Sequence, residues 1–155
     1  FEYSYLTGPV ESPIEFNTKI RRGNCRLAVQ LYFNRVHDIF LEKGQIYLPG
    51  GYKTLGKFVF KEEPINFEEL KQGDILYAQN SIGKDGKRLN RNPESYASKD
   101  EWLYHLHSAI YLGEFAKGGS DKYVWHATSI EFSTAIWTLD KFQSFYKPIS
   151  AKRVL

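Results

Sequence analysis

Cys25 is the only cysteine in a chain of 155 residues, and it directly follows Asn24 at the start of an apolar-periodic segment. Asparagine is a favoured N-cap residue, and the three- and four-residue spacing of apolar residues over 28–40 predicts a helix from about 24 to 43, closed by Gly44. In the first turn of that helix, unpaired N–H groups and the helix dipole would stabilise a nucleophilic thiolate. The alternative is a buried cysteine that packs as a small hydrophobe.

Three of the four histidines lie in segments that are typical of strands. Residues 103–113 alternate so that His105 and His107 share one face of a predicted strand. Residues 123–127 predict a second short strand, which contains His126. A cysteine at a helix start, a histidine on a strand and a polar residue that orients the histidine are what nucleophilic cysteine catalysis requires.

The same three histidines have a possible alternative use as zinc ligands. His105 and His107, two residues apart on one strand face, could chelate a metal with His126 as a third ligand. No carboxylate occupies an obvious fourth position in the sequence. We therefore expect neither a metal nor any other cofactor.

The elements that must position these residues are a long first helix followed by short strands. Further strands are expected over 57–61, 75–78 and 135–139 and after Pro148, short helices over 67–71 and 141–145 capped by Asn66 and Asp140, and a turn over 49–52. The strands over 123–127 and 135–139 are expected to pair as antiparallel neighbours. This pattern predicts a helix-first α+β domain with an antiparallel sheet that spans residues 1–155.

Composition sets broad limits on function. The chain is 42% hydrophobic and 16% aromatic, which is enough to bury a real core in one domain. No run of 18 apolar residues exists, so no membrane span is expected. A single cysteine excludes an internal disulfide. The chain begins at Phe1 and contains no methionine, which suggests a processed domain, and we expect a secreted or cell-envelope location.

A net charge of +3 is concentrated in part on a polar segment over 81–92, which carries Lys84, Lys87, Arg88 and Arg91. Its glycine and asparagine content predicts a flexible, solvated loop. Beside a cleft, such a loop could attract an acidic peptide or glycan. It lacks interleaved aromatic residues that would stack on bases, so a nucleic-acid partner is not expected.

A succession of short motifs along the chain resembles the NlpC-type cell-wall peptidases, a papain-like cysteine hydrolase family. These motifs are Tyr5-Leu-Thr-Gly8, Asn24-Cys25, Gly73-Asp74-Ile-Leu, His107-Ser-Ala-Ile-Tyr-Leu-Gly113, Val124-Trp-His126-Ala and Ala151-Lys-Arg153. The strand that carries His107 is the most specific of them. The resemblance covers almost the whole chain and implies a papain-like fold, with the nucleophile at the start of an N-terminal helix packed on the sheet.

The resemblance also implies a role for each matching residue. Cys25 takes the nucleophile position, His107 the general base, and His126 the third position that holds the imidazole in the right tautomer. Tyr5 falls where the family has a tyrosine near the nucleophile, and it could bind the sulfur or the oxyanion together with the N–H of Cys25. His105 is the alternative base, although the residues after His107 match the family strand in register.

The sequence departs from the family around the nucleophile. The family's Asp-Cys-Ser-Gly reads Asn24-Cys25-Arg26-Leu27 here, so Arg26 and Leu27 are expected to narrow or recharge the cleft. Asn24 keeps a cap but lacks the negative charge of aspartate. Two insertions, over 44–64 and 79–100, are also present.

The implied activity is that of a cysteine peptidase or amidase, a thiol protease whose substrate is a peptidoglycan stem peptide cleaved at a γ-D-glutamyl link to a diamino acid, or another peptide. Two alternatives remain. One is a catalytically inactive module of the same fold that binds cell wall or protein. The other is an acyltransferase or deamidase that uses the same thiol.

Overall fold

The computed structural model describes residues 1–13, 16, 20–47, 56–83, 85–89, 91–114 and 121–155. These residues form an α+β fold in which helices pack on a curled sheet of eight strands. The strands are β1 (Glu2–Tyr3), β2 (Arg22–Gly23), β3 (Lys57–Phe60), β4 (Ile75–Asn80), β5 (His107–Gly113), β6 (Tyr123–Thr128), β7 (Ser133–Thr138) and β8 (Tyr146–Arg153), and the α-helices are α1 (Cys25–His37), α2 (Lys43–Ile46), α3 (Lys99–Tyr104) and α4 (Leu139–Phe145).

The sheet is mixed, with the strand order β2-β1-β7-β6-β5-β4-β8-β3. β1 and β2 pair in parallel, and the other strand pairs are antiparallel. The expectation of a purely antiparallel sheet is therefore wrong at its β2 edge. The expected antiparallel pairing of β6 with β7 is confirmed, and it sets His126 opposite Ala135.

Two apolar cores flank the sheet because successive strand residues point to opposite faces. In β4, Ile75 and Tyr77 join one core, whereas Leu76 and Ala78 join the other. The first, here called the α1-side core, contains side chains of α1, α2 and α3. The second, the α4-side core, contains side chains of α4.

Helix α1 begins where the sequence predicts and ends earlier. Asn24 is its N-cap, but the helix stops at His37 because Asp38 adopts a left-handed conformation with φ 54°. The carbonyl of Phe33 accepts hydrogen bonds from the N–H groups of Asp38 and Ile39, which closes the helix. Gly44, the expected end of the helix, instead lies within α2.

The segment before β5 is helical, contrary to the prediction of one strand over 103–113. Ser98 caps helix α3 by accepting the N–H of Glu101 at 3.1 Å, and Trp102 anchors the helix in the α1-side core. His105 is the C-cap of α3, and β5 starts only at His107. The two histidines therefore do not share a strand face.

Other elements agree with the sequence in place but differ in detail. Asn66 caps a short 3-10 helix (Phe67–Glu69) as expected. Helix α4 is capped by Thr138 rather than Asp140, because the Thr138 hydroxyl accepts the N–H of Lys141. β8 starts at Tyr146, and Pro148 lies within it beside a register shift, where a missing N–H is tolerated. The turn expected over 49–52 lies outside the described residues.

The polar segment expected to be a flexible loop contains a small hairpin. The N–H of Gly83 donates to the carbonyl of Lys87, and the N–H of Leu89 donates to the carbonyl of Ser81. Lys84 lies outside the described residues.

A buried ion pair joins the beginning of β4 to the end of β8. Arg153 donates to both oxygens of Asp74, at 2.9 Å from Nε and 2.8 Å from Nη2. The turn that brings Asp74 there needs Gly73, whose φ is +96°. The Gly-Asp turn singled out in the sequence thus has a structural function.

No described helix is both long and apolar enough to span a bilayer.

Candidate active site

The start of helix α1 fixes the position of Cys25. The Asn24 side-chain oxygen accepts the N–H groups of Arg26 and Leu27, each at 3.0 Å, and its backbone carbonyl accepts the N–H of Ala28. The N–H of Cys25 has no partner among the described residues. It is therefore a free backbone donor next to the sulfur.

The residues before Cys25 are held by the N-terminal segment. Asn24 donates its backbone N–H to Thr7 at 2.8 Å, and Gly23 accepts from Ser4 at 2.9 Å. A Cβ on Gly23 would lie 2.2 Å from Cδ2 of Leu27. Leu27 is buried against this glycine, so the expectation that it narrows the cleft is wrong.

The thiol of Cys25 is 5% exposed, yet Cys25 belongs to neither described apolar core. Three tyrosines interact electrostatically with Cys25 instead. Burial raises the pKa of Tyr3 to about 12, and negative charge on Cys25 adds to the rise. Burial also raises the pKa values of Tyr47 and Tyr146, again with a contribution from Cys25. These three phenols remain protonated and can act as hydrogen-bond donors near the sulfur.

Tyr5, the expected support for the nucleophile, lies at the surface and is 70% exposed. Tyr3, two residues earlier, is the tyrosine of this segment whose pKa responds to Cys25. The motif resemblance predicted Tyr5 in this role, whereas the β1–β2 pairing places Tyr3 opposite Gly23, close to the helix start.

His107 and His126 form a buried pair. Nε2 of His107 lies 2.8 Å from Nδ1 of His126, and the two rings are nearly perpendicular. The side chains are 7% and 1% exposed. The contact leaves Nδ1 of His107 as its free ring nitrogen.

Both imidazoles are neutral near pH 7. Burial lowers the pKa of His107 to about 3, and the positive charge of Arg26 contributes. Burial lowers the pKa of His126 to about 2, with contributions from His107 and Lys141. A neutral imidazole has one unprotonated ring nitrogen, as a general base does, but a pKa of about 3 makes His107 a weak base in this structure.

The hydrogen bond between the rings restricts the possible tautomers. If Nε2 of His107 carries the proton, it donates to Nδ1 of His126, and Nδ1 of His107 is free to accept another proton. His126 then carries its own proton on Nε2, a buried atom with no described hydrogen-bond partner. The aromatic rings of Trp137 and Phe142 meet the His126 ring edge to face and can receive a weak N–H···π contact.

Tyr146 is a neighbour of the histidine pair that the sequence did not predict. Its ring stacks on His107 with centroids 4.1 Å apart, and its hydroxyl lies 2.7 Å from Oγ1 of Thr128. Tyr146 also responds electrostatically to Cys25. The sequence predicted a helix end at 145 and a strand only after Pro148, so it did not predict Tyr146 as the first residue of β8.

The structure does not join Cys25 and His107 directly: among the described residues, no hydrogen bond connects them. His107, Ala109 and Tyr111 are spaced two residues apart on β5 and therefore share one face of the strand. The His107 ring thus faces the α4-side core. Cys25 begins the helix that packs on the other face. Tyr146 stacks on His107 and interacts electrostatically with Cys25.

Arg26 occupies the space between the helix start and the segment before β5. Its Nη2 donates to the carbonyl of Leu106 at 2.7 Å and also to the carbonyl of Tyr104. Its guanidinium lies over the ring of Tyr47, 4.6 Å from the centroid, and that ring stacks on Tyr104. The positive charge of Arg26 therefore acts on His107.

His105 is separated from the histidine pair. It is exposed, and it stacks on Tyr96 with centroids 5.5 Å apart. The alternative base and the alternative three-histidine zinc site both required His105 on the strand face of His107, and the structure does not place it there. Across the described part of the chain, no group of three or more His, Cys, Asp or Glu side chains is arranged to hold a metal.

A groove of about 460 Å³ opens next to Tyr146. The hairpin borders it through Asp85, and Asn80, Arg91 and Ser129 supply further polar groups. The backbone of Arg91 is held by a hydrogen bond from the Trp102 indole at 2.7 Å. The groove, hereafter the Tyr146 groove, connects part of the polar insertion with the surroundings of His107.

Comparison with known proteins identifies no relative. No protein-family model matches the chain, and neither the curated proteins nor the solved structures contain a match.

Proposed function

We propose that this protein is a papain-like cysteine hydrolase of NlpC type, an amidase or endopeptidase that uses Cys25 as nucleophile, His107 as base and His126 as orienting residue. The proposal rests on the motif succession and on the α+β arrangement of a capped helix start and a sheet histidine. Asn24 and Arg26 would line the approach to the sulfur.

The observation that carries the proposal is the hydrogen bond between Nε2 of His107 and Nδ1 of His126. A base that must receive a proton on one ring nitrogen is held in the correct tautomer by a partner on the other. Burial keeps both rings uncharged. His107 therefore starts as a neutral base and not as the imidazolium half of a preformed ion pair.

In the proposed reaction, Nδ1 of His107 takes the thiol proton while the sulfur of Cys25 bonds to the amide carbonyl carbon. The oxyanion accepts a hydrogen bond from the N–H of Cys25 and from a nearby tyrosine, for which Tyr3 is better placed than Tyr5. The C–N bond then breaks, and the leaving amine takes the proton from His107. Water next attacks the thioester, His107 takes its proton, and the C–S bond breaks to return the thiol and release a carboxylic acid.

The proposed substrate is an acidic peptide, with the peptidoglycan stem peptide as the first candidate. Arg91 lines the Tyr146 groove and has no described ion-pair partner, so it can receive a substrate carboxylate. The net charge of +3 favours the same class of ligand and a location at a cell envelope.

Purified wall material incubated with wild type and with Cys25→Ala tests the proposal, with products identified by mass spectrometry. New amino groups with wild type alone are expected. His37→Gln, on helix α1 and away from the pair, is the matched control and should cleave as wild type does. A mass change of one dalton on a protein partner would instead indicate a deamidase, and transfer of an acyl group an acyltransferase.

A second candidate is a binding module with an inactive site. The 5% exposure of Cys25 and its lack of a described hydrogen bond to His107 favour this alternative. Such a module would retain wall peptides without cleaving them, and Cys25→Ala would retain them equally well.

A further inference from the structure

Arg26 stands directly after the proposed nucleophile, where the resembling family has a small residue, and its contacts are unusually specific. One nitrogen, Nη2, donates to the carbonyls of both Tyr104 and Leu106. Those two carbonyls bracket the C-cap of helix α3, and Leu106 is followed at once by His107. A single side chain therefore ties the first turn of α1 to the residue that leads into the base.

Aromatic contacts restrict the guanidinium from a second direction. Tyr47 and Tyr104 are stacked, with ring centroids 4.6 Å apart and planes 4° from parallel. The Arg26 guanidinium carbon lies 4.6 Å from the Tyr47 centroid and 5.6 Å from that of Tyr104. A planar, delocalised cation fits both the stack and the carbonyl pair, whereas a lysine ammonium does not reproduce this geometry.

We propose that Arg26 is a positioning residue that fastens the Tyr104–Leu106 segment to the start of helix α1 and thereby sets the place and tautomer of His107. The catalytic consequence rests on the proposed function, but the positioning itself does not. Arg26 acts through His107 and need not touch substrate.

The charge of Arg26 has a second effect on the same ring. Its positive charge opposes protonation of His107, in addition to the larger effect of burial. The other titratable or charged groups beside the histidine pair are Lys141 on α4, which acts on His126, and Tyr146 on β8, which stacks on His107 and itself interacts electrostatically with Cys25. With Arg26 in place, the ring stays neutral and its Nδ1 stays available.

Three variants separate geometry from charge. Arg26→Gln removes both the positive charge and the planar guanidinium group. Arg26→Lys keeps the charge but lacks the planar group. Arg35→Gln is the matched control, because Arg35 is exposed in the last turn of the same helix. Long-range ¹H–¹⁵N spectra of the histidine rings between pH 8 and pH 4 report tautomer and protonation without any need for activity.

For wild type and Arg35→Gln, we expect His107 to show one neutral tautomer throughout this range. Arg26→Gln should show mixed tautomers and imidazolium character that begins at higher pH than in wild type. Arg26→Lys should remain neutral but lose the single tautomer. If wall peptides are cleaved, kcat/KM should fall about 100-fold in both Arg26 variants, the loss expected for a base displaced by about 1 Å.

Wild-type histidine spectra in either Arg26 variant would overturn the inference, and so would the same change in Arg35→Gln. If Arg26→Gln does not fold, Arg26→Lys still decides the question of geometry. Absence of cleavage by the wild-type protein, with the spectral changes as expected, would refute the proposed hydrolase and leave the positioning by Arg26 established.

Discussion

Packing buries Cys25, whereas the proposed reaction requires its thiol to be accessible to a substrate. Cys25 is nearly buried, and three tyrosines interact electrostatically with it. Gly23 shows how tightly the site is assembled, because the Leu27 side chain occupies the space where a Cβ would be. Packing between Gly23 and Leu27 thus constrains the backbone on both sides of Cys25.

Gly23→Ala should destabilise the protein by about 1 to 3 kcal/mol, because Leu27 must move from a filled core position. Urea unfolding measures the change. Gly8→Ala is the control, since its nearest contact would be an ordinary 3.5 Å, and it should cost far less. Equal losses in the two variants would contradict the packing argument.

The histidine pair predicts a specific dependence of stability on pH. Folding lowers the pKa of His107 from 6.5 to about 3 and that of His126 from 6.5 to about 2. Below pH 6.5 the unfolded chain therefore binds more protons than the folded protein. Each histidine should reduce the free energy of unfolding by up to ~1.4 kcal/mol per pH unit as the pH falls from 6.5 towards 3. Above pH 6.5 the pair contributes no slope.

Denaturant unfolding at pH 7.5, 6.0 and 5.0 measures this slope. His107→Gln should show a smaller slope between pH 6 and pH 5 than wild type, whereas His37→Gln should keep the wild-type slope. An unchanged slope in His107→Gln would show that His107 is not held neutral in the folded protein.

At the scale of elements, the ion pair between Asp74 and Arg153 ties two strands and the turn before β4. Removing Arg153 leaves the carboxylate of Asp74, which is 2% exposed, without its ion-pair partner. Arg153→Ala should therefore destabilise the protein by about 1.5 to 3 kcal/mol, the range for hydrogen bonds to a charged group, because the Lys71 N–H still donates to the carboxylate.

Lys147→Ala provides the comparison, because Lys147 pairs with Glu63 at the surface, with Nζ 3.3 Å from the carboxylate oxygen. Its loss should cost less than ~1 kcal/mol in the same urea experiment. Similar costs for both variants would mean that the Asp74 contact is not a structural tie.

Local signals in the sequence predicted the beginnings of elements better than their ends. Asn24 and Asn66 were identified as caps because a short polar side chain satisfies nearby N–H groups. The end of α1 was missed because Asp38, a residue other than glycine, adopts a left-handed conformation. The strand expected over 103–106 was wrong because the Ser98 cap and the buried Trp102 favour a helix despite the alternating pattern.

The sequence predicted those parts of the candidate site that follow from motifs along the chain, and not those that depend on how distant strands pair. The pairing of His107 with His126 agrees with the expected arrangement of adjacent strands. Tyr146 and Tyr3 were missed because their places beside the site depend on strand pairing and on the curl of the sheet, which no local pattern encodes. The partners of Arg26 lie about 80 residues away in sequence.

At the scale of the whole molecule, the Tyr146 groove and the positive charge suggest how an acidic peptide would bind. Arg91→Gln in a Cys25→Ala background should weaken binding of an acidic wall peptide about fivefold, equivalent to about 1 kcal/mol for an exposed ion pair. Isothermal titration calorimetry measures the affinity. The weakening should shrink as salt is raised.

Arg88→Gln is the matched control. Arg88 lies on the hairpin that borders the groove, but its side chain does not line the groove. It should change the affinity little. Equal weakening by both substitutions would indicate attraction by net charge alone and not by a groove.

β1 and β2, with two residues each, are the shortest strands in the sheet, and they hold the residues immediately before Cys25. Such short pairings fray more readily than the strands around them. Reagents would then reach the sulfur mainly during brief excursions of the N-terminal segment. If the segment recloses faster than the reagent reacts, the rate of thiol labelling is proportional to the equilibrium population of the frayed form. The labelling rate of Cys25 would then measure how stably the first seven residues are attached.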